Sequence, residues 1–390
     1  MAGYIFAISK SLWSSFCDEN LKHGFFSPYT PEITNELMDE SKSRSRKAIN
    51  KVLSATFGDM ITMKPGDNIY FLSNRKIYGI GKLVCIGNDC KYDNYLNSSA
   101  LLPDCAIELE GVLTSHSTRA RWVCFFEPST FFFKKGADMD DILRYRPDAF
   151  KMLRAFEGVT FIKIDEEENR ALKEYISLIN ESSYEDFENN SYSFSNDTHK
   201  SLQEKDLTPH IMDINKALSH EENKEYVISE MFVEAALLQV ISRDGCSALG
   251  HWDYATHQLI ASPFKPLSYI DKIDVYGCRE SQNYTDIPKL ITKYLLVELK
   301  LGKINGATLE QTMQYVDWIC FEYASGDYSK IEAYVIGDST VHNIDRIIDE
   351  KCHRDFIMET HPVKTGKWQN LRIIKYAIES SVHFTDYSNK

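Results

Sequence analysis

The sequence contains no run of 18 or more apolar residues, which excludes a membrane-spanning helix. It has no CxxC pair among its nine cysteines, which argues against a zinc ribbon or a thioredoxin-type centre. It lacks GxxxxGK[ST] and GxGxxG, so nothing supports an ATP-driven motor, and it lacks HExxH. No internal repeat is visible. The opening MAGYIFAISKSLW reads as a strand rather than a secretion signal. With an odd cysteine count, this leads to the expectation of reduced thiols and a cytoplasmic location.

What is present is an ordinary globular composition, 43% hydrophobic and 26% charged. At roughly 150 residues per domain, 390 residues imply two or three domains. The net charge of −13 is unevenly spread. Residues 1–164 carry 21 basic and 19 acidic groups, 165–225 carry 6 and 16, and 226–390 carry 17 and 22. Most of the excess acid lies in the middle, so a nucleic-acid partner is not vetoed. Its binding would depend on local patches or a metal.

The middle stretch 181–206, ESSYEDFENNSYSFSNDTHKSLQEKD, is poor in aliphatics and reads as a linker or large exposed loop. It follows a helical period at Leu172, Tyr175, Ile176 and Ile179. The expected organisation is a mixed β domain over 1–165, a helix and acidic linker over 166–225, and an α/β domain over 226–390. In the first, strands are expected at 3–9, at 68–87 around a Ser-Asn-Arg-Lys turn, and at 121–127. In the last, a helix over 229–241 with Ser229 as N-cap precedes strands at 269–277 and 293–302. A helix at 307–325, a strand at 330–338 and a helix at 343–352 follow, an α/β alternation. The tail, 339–390, reads either as an extra strand, LRIIKYAI at 371–378, or as an interface, and the sequence does not choose between them.

The chemistry concentrates in LLVELKLG. On a strand, Glu298 and Lys300 share one face, while Val297, Leu299 and Leu301 share the other. A carboxylate and an ammonium on a buried strand are costly unless paired or liganded. Upstream, KIDVYG sets Asp274 among apolar residues. Two carboxylates at adjacent strand ends can bind a hard cation such as Mg²⁺ or Mn²⁺. The lysine can stabilise developing negative charge or position a water. Gln311 and Tyr315 share a helical face at i and i+4, as do Glu230 and Glu234.

The order helix Glu, strand Asp, strand E-x-K, helix Q-x-x-x-Y resembles the PD-(D/E)XK nuclease superfamily. Over about 225–340 it is similar to the C-terminal domain of NucS-type endonucleases and to nucleases of bacterial defence and modification-dependent restriction. Ile273, not proline, precedes Asp274. The resemblance implies a restriction-endonuclease-like α/β domain that hydrolyses phosphodiesters with Mg²⁺ or Mn²⁺. Asp274 and Glu298, with Glu234 or Glu230, would hold the metal. Lys300 would orient water or stabilise charge, and Gln311 would orient Lys300 or touch a phosphate.

KPGDNIYFLSNRKIYGIGKLV and the opening GYIFAISKSLWSSF are similar to segments of PUA-like folds, including EVE domains. This implies a PUA-like N-terminal domain that senses a nucleic-acid feature. An extruded base needs an aromatic pocket, and Trp13, Phe25, Phe26, Tyr29, Tyr78 and Trp122 are candidates by type. The densest basic run, SKSRSRKAINK, offers Lys42, Arg44, Arg46, Lys47 and Lys51 to phosphates. His251 and His257 read as strand or loop residues just before Asp274.

The expectation is a Mg²⁺-dependent endonuclease of DNA, in anti-phage defence or modification-dependent restriction, acting as a homodimer or higher homo-oligomer. Two rival readings stand beside it: a non-catalytic nucleic-acid-binding protein on a nuclease-like fold, and a nuclease directed at RNA.

Overall fold

The long apolar runs of the sequence become buried sheet. The computed structural model describes residues 1–28, 43–96, 99–101, 120–153, 161–219, 229–243, 248–260, 272–281, 290–379 and 381–387. The chain divides into two units, Met1–Ala217 and Leu218–Lys390, and both are mixed α/β. Among the described residues no helix is long and apolar enough to cross a membrane. The described cysteines are free thiols.

The first unit is built on an eight-stranded sheet. Its strands are β1 (Gly3–Ala7), β2 (Phe25–Phe26), β3 (Asn68–Ser73), β4 (Lys76–Leu83), β5 (Lys91–Asp93), β6 (Trp122–Pro128), β7 (Ala137–Asp138) and β8 (Phe161–Ile164). The main order is β8-β1-β3-β4-β6-β2, with β5 on β6 and β7 on β4. Tyr4, Ile5 and Phe6 are fully buried in succession, as a strand covered on both faces requires. The turn between β3 and β4 is the two-residue loop Asn74–Arg75. Both residues have positive φ, the backbone twist that suits a tight hairpin. Helices α1 (Trp13–Phe16), α2 (Ser43–Ile61), α3 (Met139–Tyr145) and α4 (Glu166–Ile179) complete the frame.

The stretch expected as a linker belongs to this unit instead. Short helices at Phe187–Asn190, Asp197–Gln203 and Ile214–Ser219 occupy it. Leu202 and Leu207 enter a core cluster with Phe25, Tyr92 and Phe125, and His199 is buried with its Nε2 2.9 Å from the Gly24 carbonyl. A few apolar residues spaced along a polar stretch suffice when a sheet already offers a surface to bury them. Phe25, Phe26 and Trp122, weighed as pocket aromatics, are core residues at 1%, 3% and 3% exposure. Phe25 and Phe26 point to opposite faces of their strand, and both faces are covered, Phe25 by the cluster with Tyr92 and Phe125 and Phe26 by Phe6 and Phe16.

The second unit carries a six-stranded sheet. Helix α5 (Glu230–Arg243) precedes β9 (Tyr254–Ile260), β10 (Lys272–Glu280) and β11 (Ile291–Leu299). Helix α6 (Gly306–Glu322), β12 (Ile331–Gly337), α7 (Ile344–Lys351), β13 (Arg354–Thr360), β14 (Val363–Trp368), β15 (Leu371–Ile378) and β16 (Val382–Asp386) follow. The order is β9-β10-β11-β12-β15-β16; β13 and β14 form a separate hairpin. The run β11–α6–β12 joins parallel neighbours through a helix, the connection that parallel strands require. Asn305 caps α6 by accepting the amides of Ala307 and Thr308.

Glu168 ties the first unit together. It sits in the first turn of α4, wholly buried. Its Oε1 accepts the amides of Lys151, Met152 and Leu153 at 2.9, 2.9 and 3.1 Å. Its Oε2 has no hydrogen-bond partner among the described residues. Burial, reinforced by Asp165, raises its pKa from 4.5 to about 8 against those amide donors. A carboxyl raised in the fold stabilises it fully below the unfolded pKa, and that contribution is lost as pH rises through the folded one. Glu168→Gln, a copy of the neutral form, should therefore gain stability relative to wild type between pH 4.5 and about 8. Urea unfolding across that range tests this; a pH-independent difference would refute it.

Candidate functional site

Asp274 and Glu298 of the motif meet where β10 and β11 run side by side. Their antiparallel register pairs Val275 with Val297, so Asp274 and Glu298 are the next positions along the two strands. Residues opposite one another in such a pair share a face. Asp274 Oδ2 accepts the Leu299 amide at 2.6 Å. Lys300, just beyond β11, turns its Nζ to within 2.8 Å of Glu298 Oε1. Gly302 follows with φ of +100°, which lets the chain bend away without strain.

Helix α5 adds carboxylates one turn apart. Ser229 accepts the Phe232 amide as N-cap. Glu230 is exposed, and its Oε1 accepts the Leu301 amide at 3.3 Å. Glu234 is 3% exposed, and its Oε1 lies 3.1 Å from His257 Nδ1 on β9. Gln311 and Tyr315 stand one turn apart on α6, and the Gln311 amide donates to the Tyr315 hydroxyl at 2.8 Å. Of the two roles the resemblance implies for Gln311, orienting Lys300 or touching a phosphate, the hydrogen bond among the described residues bears on neither, since it runs to Tyr315.

Three acidic groups share this region, and the electrostatics register it. Burial, then the charge of Glu298, then that of Glu234, push the Asp274 carboxyl up to about 8; the Leu299 amide and Lys300 pull the other way. For Lys300 burial opposes the charge. The hydrogen bond and charge of Glu298 outweigh it and raise the pKa. Lys300 is therefore an ammonium at neutral pH, a donor rather than a base.

The donor chemistry of Asp274, Glu298 and Glu234 fits a hard divalent cation: the ligands are carboxylate oxygens whose mutual repulsion a cation would relieve. Among the described residues no group of three His, Cys, Asp or Glu side chains stands at metal-holding spacing. Asp274 turns one oxygen onto a backbone amide, and Glu298 turns one onto Lys300.

The first unit contains an aromatic cavity of about 760 Å³. Trp13, Phe131, Phe187, Tyr192 and Phe194 supply rings to its lining, with Asp18 and Lys134 among its charged groups. Trp13 lies 4.3 Å from the Tyr78 ring, centroid to centroid, and its Nε1 donates to the Tyr192 hydroxyl at 3.3 Å. Phe187, Tyr192 and Phe194 come from the acidic stretch and were missed as site residues. Aromatics recurring in SSYEDFENNSYSF were the available signal. Arg44, Arg46, Lys47 and Lys51 lie in the opening turns of α2, and their side chains lie outside the described residues, as do Lys42 and Tyr29.

No family model matches the chain, and no curated protein matches it. Among solved structures, the crystal structure of a repair endonuclease from Pyrococcus abyssi is similar over 33% of this chain, at 19% identity and a TM-score of 0.19. The alignment spans 46% of that protein's length. A likeness this low carries no argument about fold or activity, and the reading below rests on the residues themselves.

Removing one of the crowding carboxylates should relax Asp274. Glu234→Gln is expected to lower its pKa from about 8 in ion-free buffer, read by ¹³C NMR of the side-chain carboxyl. An unmoved titration would show that Glu234 does not act on Asp274.

Proposed function

We propose that the second unit is a metal-dependent phosphodiesterase of the PD-(D/E)XK type, acting as an endonuclease on DNA. The observation that carries this is the meeting of Asp274, Glu298 and Lys300 at one edge of adjacent central strands, with the buried Glu234 acting on Asp274 through its charge. Asp274 and Glu298 would hold Mg²⁺ or Mn²⁺, with Glu234, rather than the exposed Glu230, as the further carboxylate. The ion when bound would supply Lewis-acid stabilisation of the phosphoryl oxygens. Lys300, kept protonated by Glu298, presents an ammonium to the charge that develops on the phosphate in the transition state. Tyr315 holds the amide of Gln311 on the helix face that the motif assigns to the site.

The first unit is proposed as a PUA/EVE-like reader. Supporting this are the partly exposed Trp13 and its aromatic cavity, of a size to take a base. The basic opening of α2 is proposed to track phosphates. Cutting both strands requires two active centres, so the active form is proposed to be a homodimer or higher homo-oligomer. Anti-phage defence or modification-dependent restriction in the cytoplasm is the setting that suits a reader joined to a cutter.

One observation favours a second reading, a nucleic-acid binder that does not cut: the described carboxylates are not grouped at metal-holding spacing. Incubation with plasmid, base-modified DNA, single-stranded DNA and RNA, each with Mg²⁺, Mn²⁺ or EDTA, separates the two. Cleavage should require metal and fall on the order of a hundredfold or more in Asp274→Ala and Lys300→Ala, with binding retained. Binding without cleavage of any substrate would establish the second reading, and cleavage confined to RNA would reassign the substrate. Trp13→Ala should weaken binding by about 1–3 kcal/mol if a base stacks there; unchanged affinity by fluorescence anisotropy would remove the cavity from the reader.

A further inference from the structure

His257 is a half-buried histidine of the second unit that the E-x-K motif does not account for. It lies on β9, whose antiparallel register sets it opposite Val275, the neighbour of Asp274. Its Nδ1 is 3.1 Å from Glu234 Oε1, and the two side chains are 12% and 4% exposed. The contact is a close polar approach rather than an aligned hydrogen bond, made where water screens little, so it restrains the carboxylate more than a surface contact would. Glu234 in turn is one of the charges that act on Asp274. The carboxylate cluster is thus held from two sides. Lys300 draws Glu298 toward the C-terminal end of β11, and His257 draws Glu234 toward β9.

We propose that His257 is a positioning residue: it fixes the direction of the Glu234 carboxylate, and so decides whether Glu234 joins Asp274 and Glu298 around a divalent cation. The proposal rests on the nuclease reading of the site. Its physical basis is entropic and geometric. A glutamate on a helix has three rotatable side-chain bonds, and a carboxylate meant to complete a metal site must have one orientation already populated. A partner on the adjacent sheet edge supplies that restraint. Groups that orient metal-ligating carboxylates typically change metal affinity or activity by about 10–100-fold when lost.

The test uses the full chain with His257→Leu, which removes both ring nitrogens, and His257→Asn, whose amide nitrogen can stand near the Nδ1 position. Mn²⁺ titration by calorimetry is expected to show affinity at least about tenfold weaker for H257L and largely restored in H257N, both melting at the wild-type temperature. In cleavage assays the H257L loss should be recovered by raising Mn²⁺, which a general folding defect would not allow. Independently of activity, the His257 ring ¹⁵N resonances should shift in Glu234→Gln. Unchanged Mn²⁺ affinity in H257L, or ¹⁵N resonances indifferent to E234Q, would overturn the proposal, and the second measurement holds even if H257L fails to fold. If Asp274→Ala cuts as wild type does, the nuclease reading has failed. If it is inactive while H257L binds and cuts as wild type does, only the role of His257 has.

Discussion

Like charge crowded into a low-dielectric sheet is the constraint around which the second unit is arranged. Asp274 and Glu298 occupy adjacent central strands, and Glu234 approaches from a helix. Each ionised carboxylate penalises the others, and burial penalises all three. The surrounding contacts are the ways available to relieve that penalty without a cation: a backbone amide on Asp274, an ammonium on Glu298, an imidazole beside Glu234. A fold selected only for stability has no reason to gather two buried acids and a half-buried third, since apolar residues of similar volume would pack there at no electrostatic cost. That asymmetry is the physical reason for reading the cluster as a site.

The first unit shows a complementary device, in which aromatic surface is left partly open. Phe6, Phe16, Phe26 and Phe71 pack ring against ring in the interior, whereas Trp13, tilted against the Tyr78 ring, lines a cavity. The acidic stretch closes that cavity's wall with Phe187, Tyr192 and Phe194. Lys134 donates to the Asn189 carbonyl and the Lys134 amide to that of Asn190, so backbone contacts as well as apolar burial hold the stretch down. An apolar cavity with charged groups among its lining is the form that small planar ligands require.

Much of this was legible from local pattern. The strands bearing Asp274 and Glu298 follow from β-branched and aromatic runs, and the helix bearing Gln311 and Tyr315 from a 3.6-residue period between Asn305 and Gly326. The tail over 371–378 was open between a strand and an interface, and it forms a strand of the sheet. The motif was readable because its parts lie on regular elements, whose periodicity fixes which residues share a face. The acidic stretch was misread because composition reports average burial. Leu202, Leu207 and three aromatics are too few to move the average, yet enough to dock against a sheet that already exists.

The sequence by itself determined the helices and strands that carry the motif and the order of the chemical groups along them, because both are set by interactions between residues a few positions apart. Only the tertiary structure decided which glutamate of α5 faces inward, that His257 stands against it, and which aromatics line a cavity rather than fill a core. Those are contacts between residues tens to more than a hundred positions apart. They depend on which surfaces remain unburied once the sheets have formed, and no local pattern encodes that.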